Sequence, residues 1–156
     1  LVDADLPRHS LSKQLGLTEN AGFAECILGH DVPTEHLAVQ ISDRFFVLPA
    51  GRLVAEASDR LATAAYPDFL DALLSRYSSM LLVMDTGPLL QSPEAEVVTA
   101  RAGAVLLVVR AAVTPRSAVR DALERIPKEV PAGVLLNAWG AGAIGDPEHY
   151  MADYYG

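Results

Sequence analysis

Apolar positions along the chain follow two periods. Short runs that end on a carboxylate or amide have the pattern of strands surfacing at a loop: Leu1-Val2 leads into Asp3 and Asp5, Met80 to Met84 stops at Asp85, Ala104 to Val109 is unbroken, and Gly133 to Leu136 finishes at Asn137. Continuous runs of this length predict strands buried on both faces of a sheet. Residues 35–48 differ. Leu37, Val39 and Ile41 alternate with polar neighbours before Phe45-Phe46-Val47-Leu48, which predicts a strand, a turn at Ser42-Asp43-Arg44 and a second strand, closed by Pro49-Ala50-Gly51.

Between these runs the period is helical. Ser10 is expected to cap a short helix ending at Gly16, and a second covers Gly22 to Leu28, stopped by Gly29. Across Glu56 to Tyr77, Pro67 suits a first helical turn and Phe69, Leu70, Leu73, Leu74 and Tyr77 form one stripe. Ser92-Pro93 opens a helix with Glu94 and Glu96 in its first turn, where the helix dipole favours acids. Thr114-Pro115 caps another that carries Val119, Ala122, Leu123 and Ile126, and Pro127 ends it. Strands alternating with helices imply an α/β fold, a three-layer and mostly parallel sheet with helices on both faces. Residues 1–137 form that domain, whereas 138–156, rich in Gly, Ala and Tyr, have no apolar period and are expected to be a flexible tail.

Composition narrows the function. At 156 residues and 51% hydrophobic the chain can bury a core, and a net charge of −8 counts against nucleic acid as a partner, since phosphate backbones are bound by Lys and Arg. Cys26 is the single cysteine, so no internal disulfide is expected and a reducing compartment is favoured. No apolar run approaches the roughly 20 residues that span a bilayer. Because Leu1 opens on the tail of an apolar strand with no cap or turn before it, the sequence is expected to continue a longer chain.

The candidate chemistry lies at the strand ends. Asp3 and Asp5, spaced i and i+2, point to one face of an extended strand, and paired carboxylates there suit a hard cation such as Mg²⁺. Asp85 and Asn137 also follow apolar strands, and in open α/β sheets the carboxyl edge is where ligands bind. Gly140, Gly142 and Gly145 spell the dinucleotide pattern G-x-G-x-x-G, but Asp146-Pro147 leaves too little chain for the helix and strand that pattern needs. His9, His30, His36 and His149 have no zinc-site spacing.

Val2-Asp3-Ala4-Asp5-Leu6 resembles the Walker A prime motif of the bacterial protein-tyrosine kinases that control capsule and exopolysaccharide synthesis. Leu82 to Pro88 is similar to their Walker B motif. Leu48-Pro49-Ala50-Gly51, Leu107 to Arg110 and Thr114-Pro115 also stand where that family would have them. Pro88-Leu89-Leu90-Gln91, Glu94-Ala95 and the Tyr-Tyr-Gly ending most resemble the subgroup linked to exosortase-type loci. The resemblance implies a P-loop ATPase fold of the partition-ATPase kind, with Mg²⁺-ATP as phosphoryl donor and Tyr150, Tyr154 and Tyr155 as acceptors. It implies that Asp3 contacts the metal shell or acts as base, that Asp5 supports it, that Asp85 holds Mg²⁺ through water, and that Asn137 reads adenine. It further implies a ring-like homo-oligomer and a membrane-embedded polysaccharide chain-length regulator as partner, with the protein cytoplasmic and peripheral at the inner membrane face.

The chain departs from the family in three places. The loop G-x-x-x-x-G-K-[ST] is absent and is expected about 30 residues upstream of Asp3, so these residues alone are expected to bind ATP poorly. Gly87 stands where the family usually has proline, and Ala138 where it usually has lysine. Two other functions share the pattern: an ATPase switch of the partition or division-site type, and a non-catalytic adaptor of the polysaccharide machinery.

Overall fold

The computed structural model describes residues 1–30, 37–52, 54–61 and 65–138, and its first strand, β1 (Val2–Asp3), follows directly on Leu1. The chain divides into two compact units, one of residues 1–101 and one beginning at Ala102. In the first, β1 runs parallel to β4 (Met84–Asp85), with Val2 opposite Met84 and Asp3 opposite Asp85. Its other edge meets the end of a hairpin: Asp3 N–H donates to Leu48 O at 3.0 Å, and Leu48 N–H to Leu1 O at 2.8 Å. That antiparallel hairpin, β2 (Val39–Ser42) and β3 (Phe45–Val47), bears out the predicted strand, turn and strand; residues 35 and 36 of the expected span lie outside the described residues.

Five helices of this unit are seen among the described residues. The chain turns back after β1 because the N–H groups of Arg8 and His9 both donate to Asp5 O. That turn puts His9, in the left-handed region at φ 37°, at the cap of α1 (Ser10–Gln14), so Ser10 is the first helical residue rather than the cap. Next come α2 (Phe23–Ile27), then α3 (Val54–Leu61) and α4 (Ala65–Arg76), which lie on the helical stretch expected over Glu56 to Tyr77; residues 62–64 of that stretch lie outside the described residues. A fifth, α5 (Pro93–Thr99), starts as predicted, with Ser92 Oγ accepting from Ala95 N–H at 3.2 Å.

The core is built on Phe23, fully buried, whose ring meets Tyr66 edge-on at 6.3 Å and Phe69 at 5.2 Å. Leu6, Ile27, Leu61 and Leu73 complete it, each worth roughly 1.5–3 kcal/mol for leaving water. The predicted α4 stripe holds for Phe69, Leu70, Leu73 and Tyr77, while Leu74 stays exposed. The strand expected over Met80 to Met84 is corrected: β4 is only Met84–Asp85, and Met80, Leu81 and Val83 are exposed. Leu82 and Met84 still pack against the core while Leu81 and Val83 face away from it, so the run is covered on one face rather than on the two expected.

A buried acid ties α2 to the loop after β3. Glu25 Oε2 accepts the Gly22 N–H at 2.8 Å, and Oε1 accepts the Arg52 N–H at 3.0 Å with the Arg52 guanidinium at 3.5 Å. Burial works to raise the Glu25 carboxyl, but these donors and the Arg52 charge outweigh it and hold it below the usual value of 4.5. Gly51 is required here. Its φ of +98° is left-handed, and a Cβ would fall 2.2 Å from Glu25 Oε2.

The second unit pairs β5 (Val105–Arg110) with β6 (Ala132–Asn137) in a parallel ladder, Val105 opposite Ala132 through Arg110 opposite Asn137. Between them lies α6 (Arg116–Arg125), on which Ala122 is buried, as is Ile126 just after it. Its cap position is Pro115; Thr114 Oγ instead accepts the Arg110 N–H at 3.2 Å. Parallel strands joined through helices make this an α/β fold, as the pattern implied.

Candidate functional site

β1 carries Asp3 into a wholly buried position, and α1 returns over it. Asp3 Oδ2 accepts the Ser12 N–H at 2.8 Å and the Ser12 hydroxyl at 2.6 Å. The same hydroxyl accepts the Ala50 N–H at 2.9 Å, so the loop held by Glu25 also holds Ser12. Among the described residues Asp3 Oδ1, which is buried, has no hydrogen-bond partner. A carboxylate oxygen left so within a fold is costly to keep unless a cation or donor meets it.

Asp5 lies past the end of β1 and is nearly buried. Its Oδ1 accepts the Arg8 N–H at 3.4 Å, and the Arg8 guanidinium lies 3.8 Å from Oδ2. Gly87 packs against this pair: a Cβ would come within 3.1 Å of Asp5 Oδ1, 3.3 Å of Ser92 Cβ and 3.4 Å of Arg8 Nη1. A side chain here would require these neighbours to give by a few tenths of an ångström.

Asp85 is brought beside Asp3 by strand register. Partial desolvation of its carboxyl, and after it the negative charges of Asp3 and Asp5, raise it above its ordinary 3.8. The acids are thus within electrostatic reach of one another. Among the described residues no three acidic, His or Cys side chains are placed to share one metal ion directly. An ion held by one or two carboxylates and otherwise by water, the habit of Mg²⁺, fits the unpartnered Oδ1 of Asp3 and the neighbouring Asp85.

Asn137 ends β6 in the second unit, exposed, with its Oδ1 accepting the Ala138 N–H at 2.8 Å. Tyr150, Tyr154, Tyr155 and the glycine pattern of 140–145 lie outside the described residues. Ser12 and Glu25 carried no signal in the sequence, being single polar residues on short helices. Only Ala50 lay in a noted motif. An apolar cavity of about 720 Å³, lined by Leu1, Phe45, Leu73, Tyr77 and Val83, opens where β1 and β4 begin, and none of the three acids lines it. Among the described residues no helix is long and apolar enough to cross a membrane.

No protein-family model matches the chain. The tyrosine-protein kinase wzc of Salmonella typhimurium is 25% identical over 156 residues, 99% of this chain and 21% of that protein. The chain thus spans about a fifth of the curated relative's length. Among solved structures, the kinase domain of the Escherichia coli tyrosine kinase ETK matches with a TM-score of 0.74 and 25% identity, over 87% of this chain and 53% of that one. The VpsO kinase domain matches with a TM-score of 0.77 and 21% identity, over 89% of this chain and 69% of that one. In sequence and in its P-loop type of α/β fold alike, the chain resembles the kinase domains of bacterial tyrosine-protein kinases.

Proposed function

We propose that the protein carrying this chain is an ATP-dependent tyrosine autokinase of exopolysaccharide synthesis. The observation that carries this is the pairing of Asp3 and Asp85 on parallel neighbours, with a buried oxygen of Asp3 left unpartnered. Phosphoryl transfer needs alignment and charge neutralisation more than covalent chemistry from the protein, which is what strand-end acids supply. When bound, Mg²⁺-ATP provides the γ-phosphoryl group and the positive charge that neutralises it. Asp3 and Asp85 would hold the metal, Asp85 through water, and Asp5, paired with Arg8, would support them. Asn137 offers an amide that suits the adenine edge. Tyr150, Tyr154 and Tyr155, in the segment 138–156, are the acceptors, and neighbouring copies in a ring present them to one another. The partner is a membrane-embedded chain-length regulator, which puts the kinase at the inner membrane face.

The test is phosphotyrosine in the full-length protein, dephosphorylated and then incubated with Mg²⁺-ATP, with sites mapped by mass spectrometry. Phosphotyrosine at 150, 154 or 155 that disappears in Asp85→Asn supports the kinase. ATP hydrolysis without phosphotyrosine points to a partition-type switch. No change of any kind in Asp85→Asn would make the protein an adaptor.

A further inference from the structure

We propose that Ser12 is a positioning residue that divides the two oxygens of Asp3, committing Oδ2 to the fold and reserving Oδ1 for the cation. This deepens the kinase reading and rests on it. A carboxylate oxygen has two lone-pair directions, and both on Oδ2 are taken by Ser12, one by its N–H at 2.8 Å and one by its hydroxyl at 2.6 Å. The hydroxyl has no freedom to turn away. Ala50 N–H can only donate, and it occupies the Ser12 oxygen at 2.9 Å, so the single hydroxyl hydrogen is directed at Asp3. Ser12 and Asp3 are both sealed from water, so solvent cannot replace either bond. The Ser12 N–H belongs to the first turn of α1, which has no side-chain cap of its own, so the bond to Asp3 also satisfies a donor the helix leaves open.

With Oδ2 saturated, the carboxylate plane is set and Oδ1 is the carboxylate oxygen of Asp3 that has no partner among the described residues. Loss of the hydroxyl leaves the Ala50 N–H unpaired and Oδ2 held by one bond, so the carboxylate can swing. Residues that orient a metal-holding group through a hydrogen bond change metal affinity or activity by about 10- to 100-fold when removed.

The experiment uses the full-length protein with Mn²⁺ alone as the probe, its binding counted by electron paramagnetic resonance, alongside phosphotyrosine formation. Ser12→Ala is expected to weaken Mn²⁺ binding by about 10- to 100-fold. Ser12→Thr, which keeps the hydroxyl, should stay within threefold of wild type, and Asp3→Asn should bind weakest. Ser12→Cys keeps the volume but replaces the hydroxyl with a weak donor, and it decides the matter if the alanine variant fails to fold. Amide exchange at Ala50 should quicken in the alanine and cysteine variants and not in the threonine variant. Wild-type Mn²⁺ affinity in folded Ser12→Ala or Ser12→Cys, beside its loss in Asp3→Asn, overturns the role of Ser12 while leaving the kinase intact. Absence of phosphotyrosine in the wild type overturns the kinase, and Mn²⁺ affinity then still decides for or against Ser12.

Discussion

Replacing Glu25 by Gln tests whether the clamp between α2 and the loop after β3 supports the fold and, through Ala50 and Ser12, the position of Asp3. Glu25 accepts two backbone N–H groups, from Gly22 at 2.8 Å and Arg52 at 3.0 Å, and is itself buried. Glutamine offers one carbonyl oxygen in place of two carboxylate oxygens, so one N–H is retained and the other faces an NH₂ group. A hydrogen bond to a charged group is worth about 1.5–3 kcal/mol, and a buried donor left unmade costs about 1–3 kcal/mol. The ion pair itself adds under about 1 kcal/mol, because the Arg52 side chain is 58% exposed. The expected loss is therefore about 2–4 kcal/mol. For a chain of this length that lowers the melting temperature by roughly 4–16 °C. The carboxyl is held below 4.5 in the fold, so its contribution is present above that pH and fades as pH falls through the folded value. Melting followed by circular dichroism at pH 7 and pH 3, with amide exchange at Gly22 and Arg52, measures both effects. A difference below about 0.5 kcal/mol at pH 7 would refute the clamp, as would one that does not shrink in acid.

Two further outcomes follow from the core and the acids. Phe23→Ala removes a fully buried ring that meets Tyr66 and Phe69, and should cost about 3–5 kcal/mol in denaturant unfolding; a loss under about 1.5 kcal/mol would mean the core is not built on it. Asp85→Asn should slightly stabilise the fold at pH 7, by less than about 1 kcal/mol since the residue is exposed and solvent screens the repulsion. The wild-type penalty develops as pH rises from 3.8 through the raised folded value, so the advantage of Asn should vanish below pH 3.8, and an advantage that persists there would count against a charge penalty from desolvation and from Asp3 and Asp5.

Local patterns sufficed for much of this protein. Period and caps located the hairpin, the stripe of α4 and the Ser92 cap, because each depends on neighbours a few residues apart. Strand ends on Asp3, Asp85 and Asn137 were visible because an apolar run that stops at a polar side chain is a local event. The extent of β4 was not, since Met80 to Val83 is as apolar as a buried strand and only pairing partners decide whether it becomes one. What tertiary structure alone decided is the state of the site. Ser12 reaches Asp3 across 9 residues and Ala50 reaches Ser12 across 38, and no periodicity encodes which oxygen of a carboxylate such contacts will occupy. Sequence by itself determined which acids stand at the strand ends. Folding decided that Asp3 is sealed with one oxygen bound and one unpartnered, because hydrogen-bond direction arises only when distant segments meet.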